Sequence, residues 1–460
     1  MAHLELDISR WAKQQFGDCE LGDKRRTKRI VKLAEQVAAH PNGSTPEQTH
    51  EWAGCKAAYR LFNEDDVSFE AICEPHWQLT RTQTEGTWLL IGDTTEIDFG
   101  IHRETTGLGP TGNGGGLGFL LHSSLAINAE TEEIAGLAGA DLFHRKPRPK
   151  GETRTQKKKR PRESEVWARV INSVGPPQES ARFIHLFDAG ADNYEVFCHL
   201  QLQRCGWVIR SGQKHRIVHD LEGNRGSVLD IVQQQSVAGT YDLNLRSRKQ
   251  QAARTAHLEV RFVAVNVPQP KHRTPFMKEC GIDQVPMTII EVREVNATDG
   301  LTPLHWVLLT SERVRSFNSA WKIIEWYEKR PIIEDYHKCL KTGCRIESRQ
   351  YATGDRLERV TGLLSVVAVR LLQLKFLARS KPETRAARVV PDMWLKMLKA
   401  LRPKSRLTTV RDFFRSLAML GGFLGRKHDG EPGWITIWRG FTKLNIAIQG
   451  ANAMELKKCG

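Results

Sequence analysis

Residues 88–100 read WLLIGDTTEIDFG, and residues 182–188 read RFIHLFD. In the first, Trp88–Ile91 is a short apolar run that stops at Gly92-Asp93-Thr94-Thr95. A run of that length, bounded by polar residues, predicts a buried strand ending in an acid. The second stretch predicts another, ending at Asp188. EIDFG suggests a shorter strand, FLLHSSLAIN (119–128) and 133–140 suggest two more, and Trp207–Arg210 a third buried one. Helical stretches at 163–173 and from 193 to about 204 alternate with them. This pattern is α/β. Strand ends in such a sheet converge at one edge, where ligands usually bind, so Asp93 and Asp188 are expected to be neighbours.

Toward the C-terminus, 255–310 reads as β, placed like an insertion between α/β segments. FNSAWKIIEWYEKR (317–330) reads as a helix that breaks before Pro331, and Pro331 suits the first turn of the next helix, IIEDYHKCLKTG. Tyr327, Arg330, Glu334 and Lys341 are spaced by three, four and seven. On an unbroken helix Glu334 and Lys341 share a face about 10 Å apart. Asp93, Asp188 and Glu334 brought together would repel one another unless cations neutralised them, and hard oxygen ligands suit Mg²⁺ or Mn²⁺. Arg330 could fork onto a phosphate. The competing readings are that each Asp is a turn or cap residue and that the 332–343 helix is an ordinary charged surface. Residues 356–379 form a long apolar helix fit for a core or an interface, 391–401 and 407–420 two more helices, and the rest Gly/Trp-rich turns.

Toward the N-terminus, residues 24–32 carry six basic residues in nine positions and no acid: Lys24, Arg25, Arg26, Lys28, Arg29 and Lys32. Ile30, Leu33, Ala34 and Val37 make the apolar stripe of the same helix. So lopsided a face favours nucleic-acid contact over simple solvation. Residues 145–162, RKPRPKGETRTQKKKRPR, hold ten basic residues and one acid, and Lys157, Lys158 and Lys159 form their densest run. This stretch supplies +9 of a net charge of +15, and contact with a phosphate backbone is its most economical use. Residues 107–118 hold seven glycines in twelve positions but lack the ending of a phosphate loop, so they read as a hairpin or loop. No secretory signal is read at residues 1–15. Arg370 and Lys375 interrupt the best apolar stretch, against a membrane span. Nine cysteines without a CxxC argue against a disulfide framework or zinc ribbon and for a reducing, intracellular setting.

Taken in order, these motifs resemble the IS4-like DDE transposases, closest to the Tn5 transposase branch. The family's Y-(2)-R-(3)-E-(6)-K motif is matched by Tyr327, Arg330, Glu334 and Lys341. Its first Asp lies in a segment like Gly92-Asp93-Thr94-Thr95, and its second precedes a D-x-x-x-D pattern, here Asp188 to Asp192. LGDKRRTKRIV (21–31) and AAYRLF (57–62) resemble the N-terminal DNA-recognition segment. LTSE (309–312), with Trp306 before it, is similar to the β-insertion, and 421–444 to the C-terminal pairing region. The likeness spans nearly the whole chain. Pro331 directly after Arg330 and the 107–118 loop depart from the pattern.

The resemblance implies an RNase H-like α/β core at 76–379 with a β-rich insertion at about 212–312. It implies a helical DNA-binding domain at 1–75 and a helical dimerisation domain at 380–460. It implies a cytoplasmic bacterial enzyme, nucleoid-associated when DNA-bound. That enzyme would cut transposon ends, form and resolve a hairpin, and join the ends to double-stranded target DNA as a homodimer, away from membranes. Asp93, Asp188 and Glu334 would be catalytic and hold two Mg²⁺ ions, with Mn²⁺ as a substitute. Tyr327, Arg330 and Lys341 would hold phosphates. Trp306 would stack on a displaced base, and Arg210 would touch DNA near the site. Two other readings share these residues: a DNA-binding relative that inhibits transposition, and a metal-dependent nuclease that does not join strands.

Overall fold

The computed structural model describes residues 7–456 except 83–84, 101–103, 113–114, 146–148, 150, 154–155, 157–161, 246–252, 298–301, 381 and 389. Twelve strands form one sheet. They are β1 (Gly86–Asp98), β2 (Gly109–Thr111), β3 (Gly116–Asn128), β4 (Ile134–Phe143), β5 (Ala181–Phe187), β6 (Gly206–Arg210), β7 (Ile217–Asp220), β8 (Arg225–Ser227), β9 (Gly239–Leu245), β10 (Arg254–Pro268), β11 (Gln284–Val295) and β12 (His305–Thr310). At one end β4 and β2 pair with β3, and β3 pairs antiparallel with β1. β1, β5 and β6 then run parallel. β12, β11 and β10 continue the sheet, with β7, β8 and β9 at the far edge. The segment expected as an insertion is therefore not a separate layer. β12 pairs with the free edge of β6, aligning Leu308 with Arg210.

Fifteen helices are used below. α1 (Ile8–Phe16), α2 (Lys24–Ala39), α3 (Thr45–Thr49), α4 (Trp52–Leu61) and α5 (Phe69–Thr82) precede the sheet. α6 (Val166–Val174), α7 (Tyr194–Leu202), α8 (Val228–Gln233) and α9 (Pro275–Glu279) lie between strands. α10 (Phe317–Glu328), α11 (Ile332–Lys338), α12 (Gly354–Ser380), α13 (Asp392–Leu401), α14 (Val410–Leu420) and α15 (Trp434–Leu456) follow.

The apolar run 88–91 is explained by burial on both faces. Leu89 and Ile91 join the core that also contains Trp11, Phe16, Ile30, Leu33, Ile333 and Val360. Trp88 and Leu90 join the opposite core, with Trp167, Val170, Phe187 and Phe197. The N-terminal helices thus share a core with the sheet rather than hanging from it. α12 is the one described helix long and apolar enough to cross a membrane, but most of its apolar window is buried in the protein. Its charges are met inside: Lys375 Nζ lies 2.6 Å from Asp335 Oδ2, and Arg370 sits over the Trp11 ring at 5.0 Å. A third core joins Leu374 of α12 to Leu398, Phe413, Leu417, Phe441 and Leu444.

Two expectations change. WLLIGDTT and EIDFG form a single strand, so Asp93 stands inside β1, not at its end. The reason is lateral: β3 stays paired with β1 as far as Asp98 opposite Gly118, well beyond the last β5 partner at Ile91. The expected Gly/Trp-rich turns give way at Trp434 to the 23-residue α15. Ile437, Trp438, Phe441 and Leu444 supply its apolar spacing, and all four are buried. The 107–118 stretch is the expected hairpin, β2 with β3.

Candidate active site and nucleic-acid interface

Parallel pairing of β1 and β5 aligns Ile91 with Leu186, so Asp93 and Asp188, each two residues further on, reach the same level of the sheet. Asp188 lies just past β5. It caps a short turn by accepting the Gly190 N–H at 2.8 Å. Asp93 accepts the N–H of Thr94 at 2.8 Å, and its side chain is largely buried. Burial pushes its carboxyl pKa up, and the Asp188 charge adds to the rise, while the Thr94 N–H and Arg330 oppose it.

α10 ends at Glu328, and Lys329 and Arg330 turn the chain into α11, with Pro331 at its N-cap, one position before the first turn where it was expected. This turn brings Arg330 over the acids. Its Nη1 lies 3.3 Å from Asp93 Oδ2, and its Nη2 lies 3.4 Å from Glu334 Oε1. Tyr327 packs beside them. Burial lifts its phenol to about 12, and Arg330, Arg210, Asp188 and Asp93 all act on it. Five of the expected residues, Asp93, Asp188, Arg210, Tyr327 and Arg330, therefore gather at one locus, with Glu334 at its exposed rim.

Lys341 departs from expectation. The chain from Cys339 to Gly343 is a π turn, closed by the Cys344 N–H on the Cys339 carbonyl at 2.8 Å. The wider turn rotates Lys341 off the α-helical face of Glu334. Its Nζ lies 3.1 Å from Glu347 Oε1, which also accepts the Asp98 N–H at 3.3 Å. Glu347 is a residue that sequence reasoning missed, and no spacing rule connects it to β1. Asp192, the last acid of the D-x-x-x-D pattern, has structural partners. It is buried, 2.6 Å from Arg216, and accepts the N–H groups of Gly212 and Gln213.

Trp306 is half-buried against the core, paired in register with Val292. On α2, the basic face is less free than its sequence implies. Arg25 pairs with the cap residue Asp23, Arg26 with Glu64 and Asp66, and Arg29 donates to the Gly54 carbonyl. Lys24 and Lys28 stay exposed. Lys157, Lys158 and Lys159 lie outside the described residues. At the ends of that strip, Arg145 is held between Glu96 and Glu163.

No group of three or more His, Cys, Asp or Glu that could hold a metal ion is formed among the described residues. The donor set nonetheless suits a hard divalent cation. It is oxygen-only, and a guanidinium already stands as a cation between Asp93 and Glu334.

Two family models match the chain. Residues 8–67 match a transposase DNA-binding domain, and residues 366–457 match the transposase Tn5 dimerisation domain. Both matches support a Tn5-like transposase of the IS4 family. In this transposase the first match covers α1–α4, and with it the basic helix α2. The second begins inside α12, before the expected boundary at 380, in keeping with Leu374 joining the C-terminal core. DNA binding and homodimer formation follow from these two domains. The acids lie between the matched segments.

Proposed function

We propose that this transposase cuts DNA at the ends of a mobile element and joins them to target DNA, using an RNase H-like core. The observation that carries the reading is the meeting of Asp93, Asp188, Arg330 and Tyr327 at one sheet edge, in a chain flanked by DNA-binding and dimerisation domains. The strand order β4-β3-β1-β5-β6, with β1, β5 and β6 parallel and helices on both faces, supports such a core. Asp93, Asp188 and Glu334 would hold Mg²⁺ or Mn²⁺, two ions with DNA bound, which supply Lewis-acid activation and charge neutralisation.

The chain's own groups position the substrate. Arg330 forks onto a phosphate beside the cut. Tyr327 stays protonated at neutral pH and donates its O–H. Lys341, reached through Glu347, and Arg210 add positive charge further along the strand. Trp306 stacks on a base displaced in the hairpin step, and Lys24, Lys28 and the 145–162 strip hold the backbone of the end. Two copies, paired through 366–457, would bring two ends together in the cytoplasm.

The test is incubation of the full chain, Mg²⁺, a linear duplex carrying the inverted repeats that flank its gene, and a target plasmid. Cut ends, hairpins and plasmid-joined products are expected. Binding without cutting would mark an inhibitor, and cutting without joining a nuclease; either contradicts the proposal.

A further inference from the structure

Arg330 spans Asp93 and Glu334 with both terminal nitrogens. A guanidinium committed to two carboxylates cannot at the same time grip a phosphate. Nor can those carboxylates receive a divalent cation without losing it, because the two cations would repel across a few ångströms. Arg330 therefore occupies the space between these two carboxylates.

Its hold is loose. The two contacts measure 3.3 and 3.4 Å, against 2.6 Å for Arg216 on Asp192 and 2.6 Å for Arg169 on Asp141. Charge-assisted pairs that are firmly made lie near 2.7–2.9 Å. Glu334 is half-exposed, so one of the two partners is already shared with water. The backbone at Arg330 is fixed, by its N–H on the Tyr327 carbonyl and by the ring of Pro331. Any exchange of partner is then a swing of the side chain alone. Lys341 does not compete for these acids, since Glu347 holds it.

We propose that in the DNA-free chain Arg330 serves as the internal counter-ion of Asp93 and Glu334, and that a DNA phosphate draws it off so that cation binding follows DNA binding. The proposal rests on the carboxylate site described above. It makes the two bindings reciprocal: whatever factor DNA adds to cation affinity, the cation adds to DNA affinity. A free transposase would then hold little metal and make few stray cuts.

Mn²⁺ binding to the full chain, followed by electron paramagnetic resonance without DNA, tests this directly. Arg330→Gln should bind Mn²⁺ about tenfold or more tighter than the unaltered chain. Arg330→Lys, which keeps the charge but loses the fork, should fall between them and covers the case in which the Gln variant does not fold. A 30-base-pair duplex of arbitrary sequence at low salt, read against a duplex-only blank, should raise the affinity of the unaltered chain and leave Arg330→Gln unchanged. Equal DNA-free affinities for all three proteins would overturn the proposal. Retention of the bound Mn²⁺ by an Asp93→Asn, Arg330→Gln double variant would instead show that the carboxylate site itself is misassigned.

Discussion

The hydroxyl oxygens of Thr45 and Tyr351 lie 2.8 Å apart, although 306 residues separate them in sequence. Beside them the buried Arg349 guanidinium donates to Gln48 Oε1, the Pro41 carbonyl and the Cys344 carbonyl. These bonds tie the DNA-binding domain to the segment that follows Lys341. One buried set of hydrogen bonds therefore holds the two segments together. Tyr351→Phe should cost about 1 kcal/mol in urea unfolding, the net worth of one buried neutral hydrogen bond. Arg349→Met should cost more, roughly 2–4 kcal/mol, because three acceptors lose their donor.

The basic helix α2 divides by partner. Lys28 is exposed and has no ion-pair partner among the described residues, whereas Arg26 is held by Glu64 and Asp66. Lys28→Ala should leave the unfolding midpoint unchanged and flatten the salt dependence of DNA binding by about one unit of slope. Arg26→Ala should lower the unfolding midpoint, measured by circular dichroism, with a smaller direct effect on that slope.

Helices α14 and α15 cross at glycine. A Cβ on Gly440 would lie 1.9 Å from the Leu417 carbonyl oxygen, and a Cβ on Gly421 would lie 1.9 Å from that of Thr436. No side chain fits without separating the helices. Gly440→Ala should destabilise the dimerisation region by about 1–3 kcal/mol. Sedimentation should then show loss of dimer formation while a filter assay still detects DNA binding.

Burial holds the imidazole of His185 at about 3, against an ordinary 6.5, and neither ring nitrogen finds a hydrogen-bond partner among the described residues. The unfolded chain takes up a proton below pH 6.5 that the folded chain refuses. Stability is therefore complete above that pH and is lost as pH falls toward 3. His122 and His76 are depressed in the same way. His185→Leu should make the fall in melting temperature between pH 6.5 and 4 shallower by one proton's share.

Much of this was legible in the residues. The strands of Asp93 and Asp188, the break at Pro331 and the buried long helix follow from local apolar runs and from proline. What escaped depends on distant pairing. β1 runs past Asp93 because β3 accompanies it. Arg26 is neutralised by acids 38 and 40 residues away. The π turn that turns Lys341 toward Glu347 leaves no mark in the spacing of charges. α15 was hidden because Gly440 reads as a breaker, whereas its lack of a side chain is what lets α14 approach.

The central claim is that Asp93, inside β1, and Asp188, just past the end of the parallel strand β5, form the cutting site of this transposase. Asp188→Asn preserves size and the ability to cap the turn at Gly190 while removing the charge. The decisive measurement is Mg²⁺-dependent cleavage of a duplex carrying the element ends, run beside a gel-shift assay of the same protein and duplex. The account predicts unchanged end binding and no cleavage. Cleavage at the unaltered rate would contradict it.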